Sequence, residues 1–250
     1  MRKIVLLIFL LVLNLCCETE SKLTFENLQL ENEKCDACPE IKIEIPHALD
    51  ETRIAETINI ALKEEIVYAL KFEDSLNVNT IDGAMKSFTN SYQELRRKFN
   101  DETVGWEAEF NGEIIFENDR LISILLNSYS FTGGAHGYGA TTLLNFDKQK
   151  GLELENHELF HDFEGFIAFS ENKFRIKQNV PTETNINSTG FMFTNDTFHL
   201  PENIGFTENG IQLIYNQYEI ASYADGPIEL VLPFNDVNSF LKEGYVLITD

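Results

Sequence analysis

The sequence predicts an α+β fold in which two helices precede a strand-rich half with an antiparallel β-sheet. Two observations favour this class. Apolar residues recur at spacings of three and four between Ile54 and Phe99, and beyond Asn100 they alternate with polar residues between turn signals. Because the helical patterns come first and the strand patterns afterwards, the layers are expected to be segregated. With 250 residues, 43% of them hydrophobic, the chain can bury a sizeable core.

The chain is strongly acidic. It has 41 Asp and Glu residues against 19 Lys and Arg, which gives a formal net charge of −22. A field of this sign repels phosphate backbones and anionic lipids. Nucleic-acid binding is therefore excluded, and cationic proteins are the favoured electrostatic partners.

Residues 1–17 are typical of a bacterial lipoprotein signal peptide. Two basic residues precede ten apolar residues, 4–13, which are fewer than the roughly 20 that a membrane-spanning helix needs. The cysteines that follow resemble the lipobox, in which the cysteine after the cleavage site is acylated. Cys17 fits better because the small Cys16 would then precede the cut, and Cys16 is the alternative. We expect a lipid-anchored protein of the cell envelope, facing the periplasm or the cell surface.

Residues 18–34 are polar and rich in glutamate, and they are predicted to be an acidic tether. Residues 35–103 are predicted to form a helical α+β subdomain. In an oxidising compartment Cys35 and Cys38 are expected to form a local disulfide at the entrance of a strand over 41–46. A redox pair and a zinc site are the alternatives. The redox pair is disfavoured because a strand, not a helix, follows the motif. The zinc site is disfavoured because the sequence has no second Cys-x-x-Cys motif.

Two amphipathic helices make up most of this subdomain. Thr80 is the expected N-cap of the second helix. We interpret both apolar stripes as core faces; they comprise Ile54, Ile58, Ala61, Leu62, Ile66, Ala69 and Leu70, and then Ile81, Met85, Phe88, Tyr92, Leu95 and Phe99.

Residues 104–250 are predicted to form the strand-rich domain. Asn111-Gly112 suits the two-residue turn of a β-hairpin, and Asn118-Asp119 predicts a second turn. After further strands, Asn156 is the expected cap of a helix. The tail returns to short strands, of which the last is expected at 245–248.

The tail also carries three closely spaced tyrosines, Tyr215, Tyr218 and Tyr223. At this spacing some are expected to pack in the core and others to face outward. Exposed tyrosines favour contacts with proteins or sugars.

Two blocks of residues form a recognisable pattern. They are Tyr129-Ser130-Phe131-Thr132-Gly133-Gly134-Ala135-His136-Gly137 with Asn145-Phe146-Asp147, Gly151 and Leu159-Phe160, and later Phe206, Gly210, Tyr215, Tyr218-Glu219-Ile220, Tyr223-Ala224, Gly226-Pro227 and Pro233-Phe234. The pattern resembles a bacterial envelope domain of unknown function. That domain is found in RsiV-type anti-sigma factors, which sense lysozyme, and in the noncatalytic part of PdaC-type peptidoglycan deacetylases.

The resemblance implies a noncatalytic envelope module without a cofactor. It also implies a partner, either lysozyme or another cationic wall-active protein, or a cell-wall glycan such as a peptidoglycan fragment. We find no second apolar segment leading to a sigma-binding region and no deacetylase domain in the sequence. Neither an anti-sigma role nor deacetylation is therefore expected of this chain.

The glycine-rich segment around His136 is the candidate binding site. Glycines allow positive φ angles and let the backbone approach a neighbour closely. One interpretation is a structural turn in which His136 hydrogen-bonds a carbonyl group. The functional interpretation is that Gly133, Gly134, His136 and Tyr138 contact a glycan or a protein.

His157-Glu158-Leu159-Phe160-His161 satisfies the H-E-x-x-H pattern. On a helix the two histidines would share a face and could bind zinc, while Glu158 would polarise a water molecule. A zinc-dependent hydrolase is therefore the alternative function. It is disfavoured because Asp162 follows the pattern and because His157 lies at the expected start of the helix, where a rigid ligand pair is poorly supported.

Overall fold

The structure, a computed structural model, describes residues 22–71, 78–99 and 104–246. The predicted signal peptide, with Cys16 and Cys17, lies outside the described residues. The α+β class predicted from the sequence is confirmed. No helix in the described ranges is both long enough and apolar enough to cross a membrane. The strands are β1 Phe25–Glu31, β2 Glu40–Ala48, β3 Glu107–Glu117, β4 Leu121–Phe131, β5 Tyr138–Asp147, β6 Leu152–Glu153, β7 Asn203–Thr207, β8 Gly210–Tyr215 and β9 Ile228–Leu232, and the helices are α1 Arg53–Leu70, α2 Ile81–Lys98, α3 Phe163–Gln178 and α4 Phe234–Val237.

The strands form two sheets. A six-stranded sheet runs in chain order from β1 to β6, and a three-stranded sheet has the order β7-β8-β9. All neighbours are antiparallel except β2 and β3, which pair in parallel. Parallel neighbours need a long crossover connection, and α1 and α2 supply it. The large sheet is therefore mixed, with one parallel pair inside an antiparallel arrangement.

The two N-terminal helices pack on one face of the large sheet. Thr52 caps α1 and Thr80 caps α2, and each side chain accepts a hydrogen bond from the backbone N–H three residues later. The apolar stripes of both helices face the sheet. We call the resulting cluster the helix-side core; its buried members include Ile41, Ile43, Ile45, Ile58, Leu62, Ile66, Phe88, Phe110, Ile124 and Phe146.

A second core lies on the opposite face of the large sheet, under the three-stranded sheet and α3. Its side chains are mostly aromatic, and Phe174 alone contacts four other rings. We call this cluster the phenylalanine core; its buried members include Leu121, Phe160, Phe166, Phe174, Phe193, Phe198, Phe206, Leu213, Tyr215 and Phe234.

A β-bulge lets β3 contribute to both cores. The pairing of β3 with β4 shifts between Ile114 and Phe116. Ile114 packs against the helix-side core, whereas Phe116 contacts Phe206 and Phe234 in the phenylalanine core. In a regular strand residues 114 and 116 would point to the same face, because side chains alternate along a strand.

Asparagine side chains join the two sheets along the outer edge of β5. Asn216 accepts a hydrogen bond from the Thr141 N–H at 2.8 Å and donates one to the Thr141 carbonyl at 2.9 Å. Asn203 accepts one from the Leu143 N–H at 3.2 Å. Since β6 pairs only with the last two residues of β5, these side chains occupy backbone groups that a further strand would otherwise bind.

The hairpin predicted at Asn111-Gly112 is wrong. Strand β3 runs through both residues, and the turn comes at Asn118, whose side chain accepts hydrogen bonds from the N–H groups of Arg120 and Leu121. Gly112 has another role, because a Cβ atom on it would lie 2.9 Å from Cδ of Pro46 in β2. A close approach of two strands therefore explains this glycine.

The predicted tether also differs from the structure. Residues 25–31 form β1, which pairs with β2 along its whole length. The signal in the sequence is weak, because only Leu28 and Leu30 alternate with polar residues there. These two leucines pack against the helix-side core, and this contact makes the segment a strand.

Two predictions in the C-terminal part need correction as well. The helix expected from Asn156 begins at Phe163, because a 3₁₀ turn covers residues 156–159 and the extended Phe160 inserts into the phenylalanine core. In place of the strand expected at 245–248, a 3₁₀ turn spans Glu243–Tyr245. Residues 247 and 248 of that expected strand lie outside the described residues.

Candidate functional site

The glycine-rich segment is the connection between β4 and β5. Gly133 and Gly134 have φ angles of +101° and +96°, a region that favours glycine. Gly137 is constrained by a neighbour instead, since a Cβ atom on it would overlap the ring of Tyr129. The glycines thus shape a tight connection and allow the Tyr129 ring to lie against the backbone.

His136 projects from this connection onto two tyrosines of the tail. Its ring stacks on that of Tyr223, with centroids 3.8 Å apart and an interplanar angle of 20°. Nδ1 lies 3.0 Å from the Gly137 carbonyl oxygen, and Nε2 lies 3.4 Å from the Tyr218 hydroxyl. If Nδ1 carries the proton and donates it to the carbonyl, Nε2 is the acceptor for the hydroxyl. The ring is therefore held from three sides and remains exposed.

Tyr218 adopts a backbone conformation that is uncommon for its residue type. Its φ angle is +69°, in the left-handed region, and its side chain is 55% exposed. Its ring lies 5.7 Å from that of Tyr223. A strained residue that presents an aromatic ring to solvent is a feature typical of functional sites. We call Tyr129, His136, Tyr218 and Tyr223 the aromatic patch.

A row of glutamates borders the aromatic patch. We call Glu40, Glu44, Glu107, Glu109 and Glu113 the acidic face; all five are exposed on the outer face of β2 and β3. Glu109 lies directly opposite Tyr129 in the β3–β4 pairing. Lys42 is the one base on this part of β2, and it forms a salt bridge to Glu40 at 2.6 Å.

The acidic face influences the titration of Tyr129. Partial burial of the phenol, followed by the negative charge of Glu107, raises the pKa of Tyr129 above its ordinary value. Tyr129 therefore keeps a neutral phenol next to a negative surface at neutral pH.

Tyr138 is the first residue of β5. It pairs with Ser130, whereas Tyr129 pairs with Gly139, so the two tyrosines point to opposite faces of the sheet. Tyr138 lines a groove of about 550 Å³ between α1 and the outer edge of β5, and Tyr129 contributes to the same groove. In this groove burial raises the pKa of Glu65 above its ordinary value. The hydrogen bond from Thr142 acts in the opposite direction but is the smaller effect. Of the four residues predicted for the site, Gly133, Gly134 and His136 lie in the connection between β4 and β5, and Tyr138 begins β5.

Of the three tail tyrosines, two reach the patch. Tyr215 is fully buried and donates a hydrogen bond to the His199 carbonyl at 2.7 Å. Tyr218 and Tyr223 meet His136, far from it in the sequence. The close spacing of the tyrosines suggested exposed rings, but only the packing of the small sheet on the large one brings them beside His136.

The H-E-x-x-H pattern does not lie on a helix. His157 and Glu158 belong to the 3₁₀ turn, and the Glu158 carboxylate accepts a hydrogen bond from the Glu155 N–H at 3.0 Å. His161 follows in a bend, where its N–H donates to the Phe240 carbonyl at 2.9 Å. Within the described ranges no group of three His, Cys, Asp or Glu side chains could hold a metal ion. The shared helix face that zinc binding requires is therefore not formed.

Cys35 and Cys38 are joined by a disulfide, with Cα atoms 5.1 Å apart. Arg96 of α2 donates a hydrogen bond to the Asp36 carbonyl inside this small loop, at 2.7 Å. The loop is thus fastened to the helical layer immediately before β2.

Asn145 and Asp147, both in the first recognisable block, have structural roles. Asn145 is buried, accepts a hydrogen bond from the Ser123 hydroxyl at 2.7 Å and donates one to the Ile204 carbonyl at 2.6 Å. Asp147 is fully buried and accepts a hydrogen bond from the Tyr245 hydroxyl at 2.9 Å.

Several groups determine the ionisation of Asp147. Burial of its carboxylate acts to raise the pKa, but the hydrogen bonds from the Lys150 N–H and the Tyr245 hydroxyl and the charge of Arg120 together hold the pKa below its ordinary value. The carboxylate is therefore ionised at neutral pH and fastens the C-terminal segment to the turn after β5.

Two protein-family models match two different segments of the chain. Residues 32–138 match the family described as Deacetylase PdaC, and residues 154–235 match the family described as Protein of unknown function (DUF3298). None of the curated proteins matches the chain.

Two solved structures share the fold. A DUF3298 family protein from Bacteroides fragilis is 20% identical, with a TM-score of 0.70 over 89% of this chain and 94% of that one. A second, from Pseudomonas aeruginosa, is 20% identical, with a TM-score of 0.66 over 90% of this chain and 97% of that one. With a PdaC-type segment followed by a DUF3298 segment, the chain fits an RsiV/PdaC-type domain of unknown function.

Proposed function

We propose that this protein is a noncatalytic recognition module of the cell envelope that binds a cationic protein through the aromatic patch and the acidic face. One observation carries the proposal: the exposed His136 and Tyr218 rings are supported by the half-buried Tyr223 ring and lie beside a row of exposed glutamates. Tyrosines are enriched among the residues that dominate binding energy at protein interfaces. Surrounding charges of one sign select partners of the opposite sign and speed their encounter.

The charge of the whole chain supports the same partner. A net charge of −22 attracts a basic protein at long range, and the acidic face adds a local complement at the patch. Lysozyme is the cationic wall-active protein suggested by the resemblance to RsiV-type proteins. It is therefore the first ligand to test.

We also propose that the protein is exported and lipid-anchored through Cys17, or through Cys16 if cleavage occurs one residue earlier. The charged leader, the short apolar run and the cysteines support this location. Cys17→Ser should abolish acylation and leave unprocessed precursor, measured by the intact mass of the membrane fraction. An unprocessed, unacylated chain in cells expressing the unaltered sequence would contradict the proposed location.

The binding proposal is tested by titrating lysozyme into the purified protein by calorimetry at low and moderate salt. We expect saturable binding that weakens with salt, since attraction between exposed charges is screened. Tyr223→Ala should weaken binding at least about tenfold, as expected for an aromatic anchor. Tyr68→Ala is the matched control; this tyrosine is 86% exposed on α1 and should bind as the unaltered protein does.

A charge reversal measures the contribution of the acidic face separately from that of the aromatic patch. Glu107→Lys combined with Glu109→Lys should reduce both the affinity and its salt dependence, because the local attraction becomes repulsion. If lysozyme gives no saturable signal at either salt concentration, the proposal fails. If a soluble peptidoglycan fragment binds instead, and Tyr223→Ala abolishes that binding, the patch recognises glycan and the cationic-protein assignment is wrong.

A further inference from the structure

Strand β1 has an outer edge to which no described residue hydrogen-bonds. The Leu49 N–H donates to the Thr24 carbonyl at 2.9 Å, so Thr24 bonds toward β2. Pairing alternates from there along an antiparallel strand pair, and the residues that bond inward are Glu26, Leu28 and Leu30. The N–H and C=O groups that consequently point away from the sheet are those of Phe25, Asn27, Gln29 and Glu31.

An apolar groove runs beside this edge. It encloses about 870 Å³ between β1 and the helical layer. Leu28 and Leu30 form one wall, Ile60 and Leu62 of α1 form another, and Ile81 closes the end at α2. Ile60 is 39% exposed. The helices therefore extend past the sheet and cover a position where a seventh strand would fit.

We infer that β1 accepts an extended segment of a partner polypeptide as an added strand, and that this segment alternates apolar and basic residues. Main-chain hydrogen bonds to an open edge provide affinity, and pockets for alternate side chains provide specificity. Every second side chain of the added strand would enter the apolar groove, because side chains alternate along a strand.

The charges around the groove select the basic partner. Four acidic side chains line it against two basic ones; these are Asp50, Glu51, Glu56 and Asp82, against Arg53 and Lys63. Pairing with a second copy of this chain is disfavoured, because β1 itself carries Glu26 and Glu31 and each copy has a net charge of −22. The β1 edge lies at the end of the sheet opposite β6. Binding at this edge can therefore be tested independently of binding at the aromatic patch.

The test compares Gln29→Pro with Gln29→Thr. Proline removes the outward N–H of residue 29 and leaves the inward bonds of β1 intact, whereas threonine keeps the N–H and suits a strand. The probe is a fluorescein-labelled nine-residue peptide of alternating valine and lysine, followed by fluorescence anisotropy. We expect saturable binding to the unaltered protein and to Gln29→Thr, and at least about tenfold weaker binding to Gln29→Pro.

Hydrogen exchange supplies an independent readout. On addition of the peptide, the backbone N–H groups of Asn27 and Gln29 should gain protection, whereas those of Leu28 and Leu30 are already bonded to β2. If Gln29→Pro fails to fold by circular dichroism, a peptide N-methylated at alternate residues replaces it and should bind the unaltered protein weakly.

Three results would overturn the inference. No saturable binding up to about 1 mM peptide would exclude strand addition of useful strength. Equal binding of a peptide with glutamate in place of lysine would exclude the basic partner. A dimer in sedimentation experiments that Gln29→Pro abolishes would identify the edge as an interface between copies of this chain.

Discussion

The two cores of this protein are organised in different ways. The helix-side core is mostly aliphatic and is formed by long, regular elements, so the periodicity of α1 and α2 determines which side chains meet. The phenylalanine core draws Phe193 and Phe198 from irregular chain between α3 and β7. In that segment the contacts between aromatic rings, not regular secondary structure, fix the backbone conformation. Loops can therefore be ordered by large side chains where secondary structure is short.

The largest effect is expected from breaking the phenylalanine core at its centre. Phe174→Ala removes a fully buried ring that contacts four others, and it should lower the free energy of unfolding by about 3–5 kcal/mol. Urea denaturation measures the change. Ile176→Ala on the same helix is the control; this side chain is 66% exposed, so its change should stay within about 0.5 kcal/mol. Equal losses in the two variants would show that the rings do not organise this core.

The link between the two sheets should give the next largest effect. Asn145→Ala removes two buried side-chain hydrogen bonds and leaves the Ile204 carbonyl without its donor, at a cost of about 2–3 kcal/mol. Urea denaturation again applies. Asn127→Ala, which affects only an exposed bond from the Thr141 hydroxyl, should change stability by less than about 0.5 kcal/mol. A loss at Asn127 as large as that at Asn145 would contradict the role assigned to the link.

A smaller effect, visible mainly as pH dependence, should come from Asp147. Because the pKa of its carboxyl is lowered by folding, its contribution to stability is present above the ordinary pKa of 3.8 and is lost as the pH falls through the folded-state value. Asp147→Asn should destabilise the protein by about 1–2 kcal/mol at pH 7 and flatten the loss of stability in acid. Thermal unfolding between neutral and acidic pH measures both. An unchanged acid slope in the variant would show that other carboxyl groups dominate.

The sequence was informative where structure is regular. The periodicity in α1 and α2 and the alternation in β2 reflect burial against one layer, and such patterns are visible locally. The turn at Asn111-Gly112 was misjudged because a glycine tolerates both a turn and a close strand contact, and only the position of Pro46 distinguishes the two. Parallel pairing of β2 with β3 leaves no local trace in either strand.

The candidate site was predictable only in part. His136 and its glycines stand out because they are adjacent in the sequence. Tyr218 and Tyr223 join them through the packing of two sheets, which no spacing encodes. Tyr138 is close to His136 in the sequence, but the alternation of a strand turns it to the face opposite that of Tyr129.

The parallel pair has a consequence for how the molecule assembles. As the chain is synthesised, β1 and β2 can form a hairpin at once, but β2 must wait for its other neighbour until both helices have been made. Such non-local pairing slows folding, and an unpaired strand edge invites contact with other chains in the meantime. We therefore expect premature release of the chain before β3 to yield an aggregation-prone fragment.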